Sequence, residues 1–276
     1  MAVNVCPLVS IITPVYNGSE YLEELIQSVL NQNYPNIEHI IIDDGSQDNG
    51  ATVSILRKYS HVRLWSQDKM GQYATMNVGI AVAQGEFICF VSADDIISPG
   101  AISMAMSFVM EHPDLDGLFG LTSFMDSQGS TLAYPLPFTR APIQFHAYFT
   151  HIAHCSFYIR RTSLEHHKLY FDSSLKYTGD YDWIIRISKS KLNIRSIHRE
   201  LSRVRIHQNQ TTQMQTAACK AERHEVLRKH GLNKLSYFLL STIYIFLFRL
   251  RKAGLIYKNA GITGVSKRLS TWHTNK

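Results

Sequence analysis

Apolar and polar positions alternate in blocks along the first hundred residues. "LVSIITPVYN" opens with an apolar run from Leu8 to Ile12, rich in β-branched residues, which Pro14 and Asn17-Gly18 then stop. Such a run, bounded by turn residues, predicts a buried strand followed by a loop. In "EYLEELIQSVLNQ" the apolar positions Tyr21, Leu22, Leu25, Ile26, Val29 and Leu30 have helical spacing, and Ser19 stands where a cap belongs. "IEHIIIDDGSQDNG" predicts a second buried strand ending at Asp43 and Asp44, with Gly45 and Ser46 turning the chain. Residues 51–59 read as helix and "HVRLWSQ" as a third, short strand. "GQYATMNVGIAVAQG" reads as a helix closed by Gly85, and "EFICFVSADD" as the fourth strand. "SPGAISMAMSFVMEHP" is a further helix, with Pro99 near its start and Pro113 past its end.

Strands alternating with helices imply an α/β fold: an open, mainly parallel sheet with helices on both faces. Ligands of such sheets bind beyond the carboxyl ends of the strands. Later segments are less regular. Residues 115–140 read as strands and loops, "HIAHCSFYIRRTSLEH" as a strand leading into a helix, and "GDYDWIIRISKS" as an amphipathic helix with Ile184, Ile185 and Ile187 inward. "NIRSIHRELSRVRIHQNQTT" predicts one or two strands and a polar loop. The expected organisation is a first half over 1–105, a second half of the same domain over 106–215, and a helical extension over 216–276.

Charge sharpens that division. Net charge is +6, but residues 220–276 carry 12 Lys and Arg against Glu222 and Glu225, while the remainder is net acidic. The basic character belongs to the tail, so the main domain loses any nucleic-acid reading. Within the tail, Leu235 to Phe248 form a 14-residue uncharged run followed by Arg249, Arg251 and Lys252. As a helix it would span about 21 Å, short of a hydrocarbon core of roughly 30 Å. An interfacial anchor on an anionic membrane face is expected, with a helix packed on the domain or on a second subunit as the other reading. The four cysteines, Cys6, Cys89, Cys155 and Cys219, lie far apart without metal-site spacing, which suits a reducing compartment. The N-terminus has no signal-peptide pattern. A cytoplasmic protein, peripheral on the inner face of the membrane, is expected.

Two acidic pairs, Asp43-Asp44 and Asp94-Asp95, fall at predicted strand ends. Neither G-x-G-x-x-G nor G-x-x-x-x-G-K-[ST] occurs, which disfavours dinucleotide and P-loop enzymes. Adjacent carboxylates make sense beside a hard divalent cation that offsets a nucleoside diphosphate; a solvated turn is the plainer alternative. His151, His154, His166 and His167 lack the spacing of a metal motif. Tyr73 and Asn77 could point from their helix toward a donor, or Asn77 could tie down a loop. Trp183 and Trp65 read as packing.

"IITPVYNGSEYLEELIQSVLNQNYPNIEHIIIDDGSQDN", "GQYATMNVGIAVAQGEFICFVSADD" and "GDYDWIIRI" together resemble the inverting, family 2 glycosyltransferases of GT-A fold, of the bacterial polysaccharide-biosynthesis type. The resemblance runs from about Leu8 to Gln210. It implies that Pro14 and Tyr16 line a nucleoside pocket and that Asp44 hydrogen-bonds a uracil or thymine. It implies that Asp94 and Asp95 serve ribose and metal (Mg²⁺ or Mn²⁺), with Ser92 where many members carry Asp. It implies that Asp180 is the catalytic base, that Asp182 caps or orients, and that His207 lies in a loop closing over the diphosphate. The implied function moves a sugar from a UDP- or dTDP-linked donor to a glycan or lipid-linked acceptor, in one inverting displacement. A sugar nucleotidyltransferase or a non-catalytic nucleotide-sugar-binding module are the alternatives. The first usually has a Gly-rich basic N-terminal loop; the second has no need of Asp180.

Overall fold

A computed structural model describes residues 6–133, 143, 147, 152–208, 210 and 216–231. The chain divides into two compact units, residues 1–223 and 224–276. The sheet and its connecting helices belong to the first, and the boundary falls within the last described helix. The tail run from Leu235 to Phe248 lies outside the described residues.

Four parallel strands form one half of the sheet. They are β1 (Val9–Val15), β2 (Ile37–Asp43), β3 (Val62–Ser66) and β4 (Phe87–Phe90), in the order β3-β2-β1-β4. Val9 faces Ile37 on one side and Phe87 on the other. Every residue of β1 and β4 is buried, which is why both read as unbroken apolar runs. Three helices connect the strands: α1 (Leu22–Leu30), α2 (Ala51–Leu56) and α3 (Gln72–Val82). Helix α1 buries Leu22, Leu25, Ile26 and Val29, each worth about 1.5–3 kcal/mol on full burial. Its sixth predicted apolar position, Leu30, is exposed. Ser19 does not cap it. The first turn closes on the Gly18 carbonyl, which accepts from Leu22 N–H (3.1 Å), and Ser19 lies in the turn before. Helix α3 rides close on β1, because a Cβ at Gly79 would lie 2.3 Å from Ile12 Cγ2.

The second half of the sheet is mixed. After the short β5 (Ile96–Ile97) and α4 (Ala101–Glu111) come β6 (Gly117–Met125) and β7 (Thr131–Ala133). A 3₁₀ turn (His154–Ser156) leads through β8 (Phe157–Arg160) into α5 (Arg161–His166). Then follow α6 (Gly179–Lys189), the single long strand β9 (Ile194–Arg205) and α7 (Thr216–Lys229). β8 pairs antiparallel with both β4 and β6, and β9 runs parallel to β6 and antiparallel to β5.

Strand order reverses between β1 and β4, so their carboxyl ends flank the crevice expected of such a sheet. Tyr16, Asp44 and the stretch Ser92–Asp95 all sit at that end. Trp183 is a core residue, as its pattern predicts. It is fully buried, stacks on Phe171 and meets Phe90 and Phe157 edge-on. Trp65 is not: it is 45% exposed, since β3 is an edge strand whose outer side nothing covers among the described residues.

Candidate active site

The donor side is built from the ends of β1, β2 and β4. Pro14 is buried opposite Ile42, tolerated because its missing N–H falls near the strand's end. Tyr16 follows, 37% exposed, with the Lys69 ammonium 3.4 Å from its ring centroid. Asp44 is nearly buried and fastens the loop after β3. Its Oδ1 accepts from Gln67 Nε2 and Met70 N–H and its Oδ2 from Gly71 N–H, all at 2.8 Å. Gly71 adopts φ +95°, which favours glycine there.

The adjacent acids separate in role. Asp94 keeps 28% of its side chain exposed, and its Oδ2 lies 3.0 Å from His207 Nε2. Asp95 turns inward, 4% exposed, and its Oδ1 accepts from Arg205 N–H (3.0 Å). Desolvation, and then the Asp94 charge, push the Asp95 carboxyl well above the usual carboxylate range. Both residues were expected to hold metal; only Asp94 presents an oxygen outward, because Asp95 is committed to the backbone of β9.

Sequence reasoning missed the cation that ties this corner together. Arg205 is 1% exposed and donates to the Asp94, Asp126 and Ser127 carbonyls and to Glu24 Oε2 (2.5 Å). Its guanidinium also lies 4.4 Å from the Tyr21 ring centroid. The strand alternation of β9 gives no sign that an arginine points inward.

The facing side is built from α6. Glycine is needed at 179, where a Cβ would lie 2.6 Å from the Tyr73 ring. Asp180 follows in the first helical turn with 35% of its side chain exposed. Its Oδ1 accepts from Tyr181 N–H (2.8 Å) and Tyr73 O–H (3.2 Å). Its Oδ2 lies 3.5 Å from His154 Nδ1, and His154 Nε2 lies 3.2 Å from Ser92 Oγ. Desolvation raises the Asp180 carboxyl, but the His154 contact, Tyr181 N–H and Tyr73 outweigh it and hold the group below its ordinary value. Asp182 is fully buried and takes Arg186 Nε at 2.6 Å, so it braces the helix.

Two residues expected on the donor side stand elsewhere. Tyr73 is 4% exposed and supports Asp180 from behind, stacked on Phe171. Asn77 holds a loop: it donates to the Phe171 carbonyl (2.9 Å) and accepts from Phe171 N–H (2.8 Å), which uses its amide within the protein. Ser92 turns toward His154 rather than joining an acidic cluster. Glu222 of α7, which no pattern picked out, grips the loop before α6. Its Oε2 accepts from Lys176 N–H (2.9 Å), and its Oε1 from Tyr177 N–H, Thr178 N–H and Thr178 Oγ (2.8 Å each).

Among the described residues no three His, Cys, Asp or Glu side chains gather into a metal cage. A divalent cation bound with a diphosphate needs less, since Mg²⁺ and Mn²⁺ draw most ligands from phosphate and water. Asp94 Oδ2 and the His207 ring fit that demand. His207 Nδ1 is buried with no hydrogen-bond partner among the described residues.

The family model for glycosyl transferase family 2 matches residues 10–168, more than half of the chain. The chain belongs to glycosyl transferase family 2. A glycosyltransferase of Rickettsia typhi is 32% identical over 241 residues, covering 83% of this chain and 73% of that protein. One of Rickettsia felis is 38% identical over 140 residues, half of this chain but 23% of its own length, so the chain spans only part of some relatives. Among solved structures, TarS of S. aureus in complex with UDP-GlcNAc aligns over 80% of this chain and 64% of its own, with a TM-score of 0.66 and 22% identity. The mixed, open sheet flanked by helices is thus the GT-A-like fold that the sequence motifs imply. Membership of this family sets the nucleotidyltransferase alternative aside.

Proposed function

We propose that the chain transfers a sugar from a uridine-type nucleotide-sugar donor to a hydroxyl of a glycan or lipid-linked acceptor, with inversion, and that Asp180 is the general base. One observation carries the reading. An ionised carboxylate, Asp180, keeps Oδ2 open and stands one imidazole away from Ser92, on the strand end that bears Asp94. Base and donor side thus lie across one small gap. The TarS complex with UDP-GlcNAc supports a uridine nucleotide in the crevice beside Tyr16 and Asp44. A divalent cation, held by Asp94 with His207 beside it, would neutralise diphosphate charge as the leaving group departs.

The chain's own part is to orient and to move one proton. The acceptor hydroxyl gives its proton to Asp180 Oδ2 as its oxygen bonds to the anomeric carbon. The bond from that carbon to the diphosphate oxygen breaks on the opposite face, so the anomeric centre inverts.

Asp180→Asn keeps shape but cannot take the proton. Turnover should fall about 10²- to 10⁴-fold, while UDP binding, followed by titration calorimetry, stays close to wild type. A panel of nucleotide sugars assayed for hydrolysis with and without Mn²⁺ names the donor. Undiminished transfer by Asp180→Asn removes Asp180 as base and leaves proton removal to another group.

A further inference from the structure

The two oxygens of Asp180 are not equivalent. Oδ1 is occupied by Tyr181 N–H and Tyr73 O–H. An acceptor's proton must therefore arrive at Oδ2, whose one neighbouring donor among the described residues is His154 Nδ1. The His154 side chain is 12% exposed, so its orientation is set by packing and by its two partners. Only one neutral tautomer suits both. With the proton on Nδ1, the ring donates toward Asp180 and Nε2 accepts from the Ser92 hydroxyl. With the proton on Nε2, a lone pair would face a carboxylate. At 3.5 Å the Nδ1–Oδ2 contact is longer than a formed hydrogen bond, as catalytic contacts often are before substrate binds.

We propose that His154 is a positioning residue for Asp180, its Nδ1–H holding Oδ2 toward the acceptor, and that Ser92 fixes the tautomer that makes this possible. The proposal rests on the reading of Asp180 as base. It gives Ser92 a task on the base side, although its place in the sequence is within the donor motif. The Nδ1–H takes one lone pair of Oδ2 and leaves another for the incoming hydroxyl, so the base is aimed without being consumed. The same contact favours the ionised carboxylate. Among the described residues, Tyr73 from α3, His154 from the 3₁₀ turn and Cys219 from α7 are the titratable groups facing Asp180.

Amide replacements separate aim from bulk. His154→Asn places an N–H near the δ position; His154→Gln places it near the ε position and leaves Oδ2 without a donor. In full-length protein, carboxyl ¹³C NMR should show the Asp180 titration rising by about one unit in His154→Gln, since a hydrogen bond to the charged form is lost. His154→Asn should stay near wild type. Ser92→Ala should rise in the same direction by less. The acid limb of kcat should move to higher pH in step, with UDP affinity unchanged. An Asp180 titration unmoved in both His154→Gln and Ser92→Ala overturns the proposal. Because Ser92→Ala removes one hydroxyl, that comparison survives if the glutamine variant fails to fold. Should Asp180→Asn still abolish transfer while these titrations stay put, the base stands and His154 is merely packed. If Asp180→Asn transfers normally, the base reading itself falls, whatever His154 does.

Discussion

His39 shows how one residue couples this sheet to pH. It lies in the middle of β2, buried, with Nε2 3.1 Å from Thr13 Oγ1 and Nδ1 unpartnered among the described residues. Burial, and secondarily the nearby His61, depress it to about 3. The folded protein therefore keeps His39 neutral where the unfolded chain, with a pKa near 6.5, takes up a proton. The stability this withholds is fully present above about pH 6.5 and is lost as pH falls toward 3, about 2 kcal/mol of it by pH 5. Thermal melts should show the wild type losing stability between pH 7 and pH 5, and His39→Gln losing less over that interval. A parallel loss in both proteins would put the acid sensitivity elsewhere. His39 sits in an apolar run and is legible in sequence as an inward position; its missing partner is not. That Asp94 and Asp180 lie at the crevice is legible because each belongs to a short motif. The Ser92–His154 contact joins residues 62 apart in sequence, across β4 and β8. No local pattern carries that pairing.

At the level of elements, the parallel half of the fold could be read because each strand is a short apolar run and turn residues bound the helices between them, of which α1 is clearly amphipathic. The mixed half could not, since strand direction in β6, β8 and β9 is set by which neighbours they meet. Helix α7 is the clearest case. Its hydrophobic pattern is weak, yet Glu222 supplies acceptors to three consecutive amides and a hydroxyl immediately before α6. Desolvation would raise the Glu222 carboxyl, but those amides win and lower it. Its folded pKa is depressed, so the grip is present above the usual Glu value and is released as pH falls through the lowered one. Glu222→Gln keeps one oxygen for Tyr177 and Thr178 but turns an N–H on Lys176. Glu222→Ala frees all four donors to water. Loss of charged hydrogen bonds of this kind costs roughly 1.5–3 kcal/mol each when buried, and less at this half-exposed site. Hydrogen exchange at residues 176–178 should quicken modestly in the glutamine variant and strongly in the alanine variant. Turnover should fall in the same order, because Asp180 begins the helix this loop leads into. Equal protection in all three proteins would show that α7 does not hold the loop.

For the whole molecule, the basic and apolar residues beyond 231 invite a test that leaves the catalytic unit intact. Among the described residues no helix is long and apolar enough to cross a membrane. Truncation after Gly231 keeps Glu222 and removes the run from Leu235 to Phe248 with Arg249, Arg251 and Lys252. The truncated protein should no longer sediment with anionic vesicles and should keep donor hydrolysis. High salt should weaken binding of the full chain only in part, since apolar burial is not screened. A truncated protein that unfolds or changes oligomeric state would instead mark the tail as packing. The Glu222 grip has one more consequence, in the order of events at the ribosome. The loop before Asp180 is made about forty residues ahead of its clamp, a lag of a few seconds at about 5–20 residues per second. During that interval strands β1 to β4 are complete while the start of α6 still lacks its clamp. A nascent chain would thus carry its parallel strands for some seconds before the turn into α6 is locked.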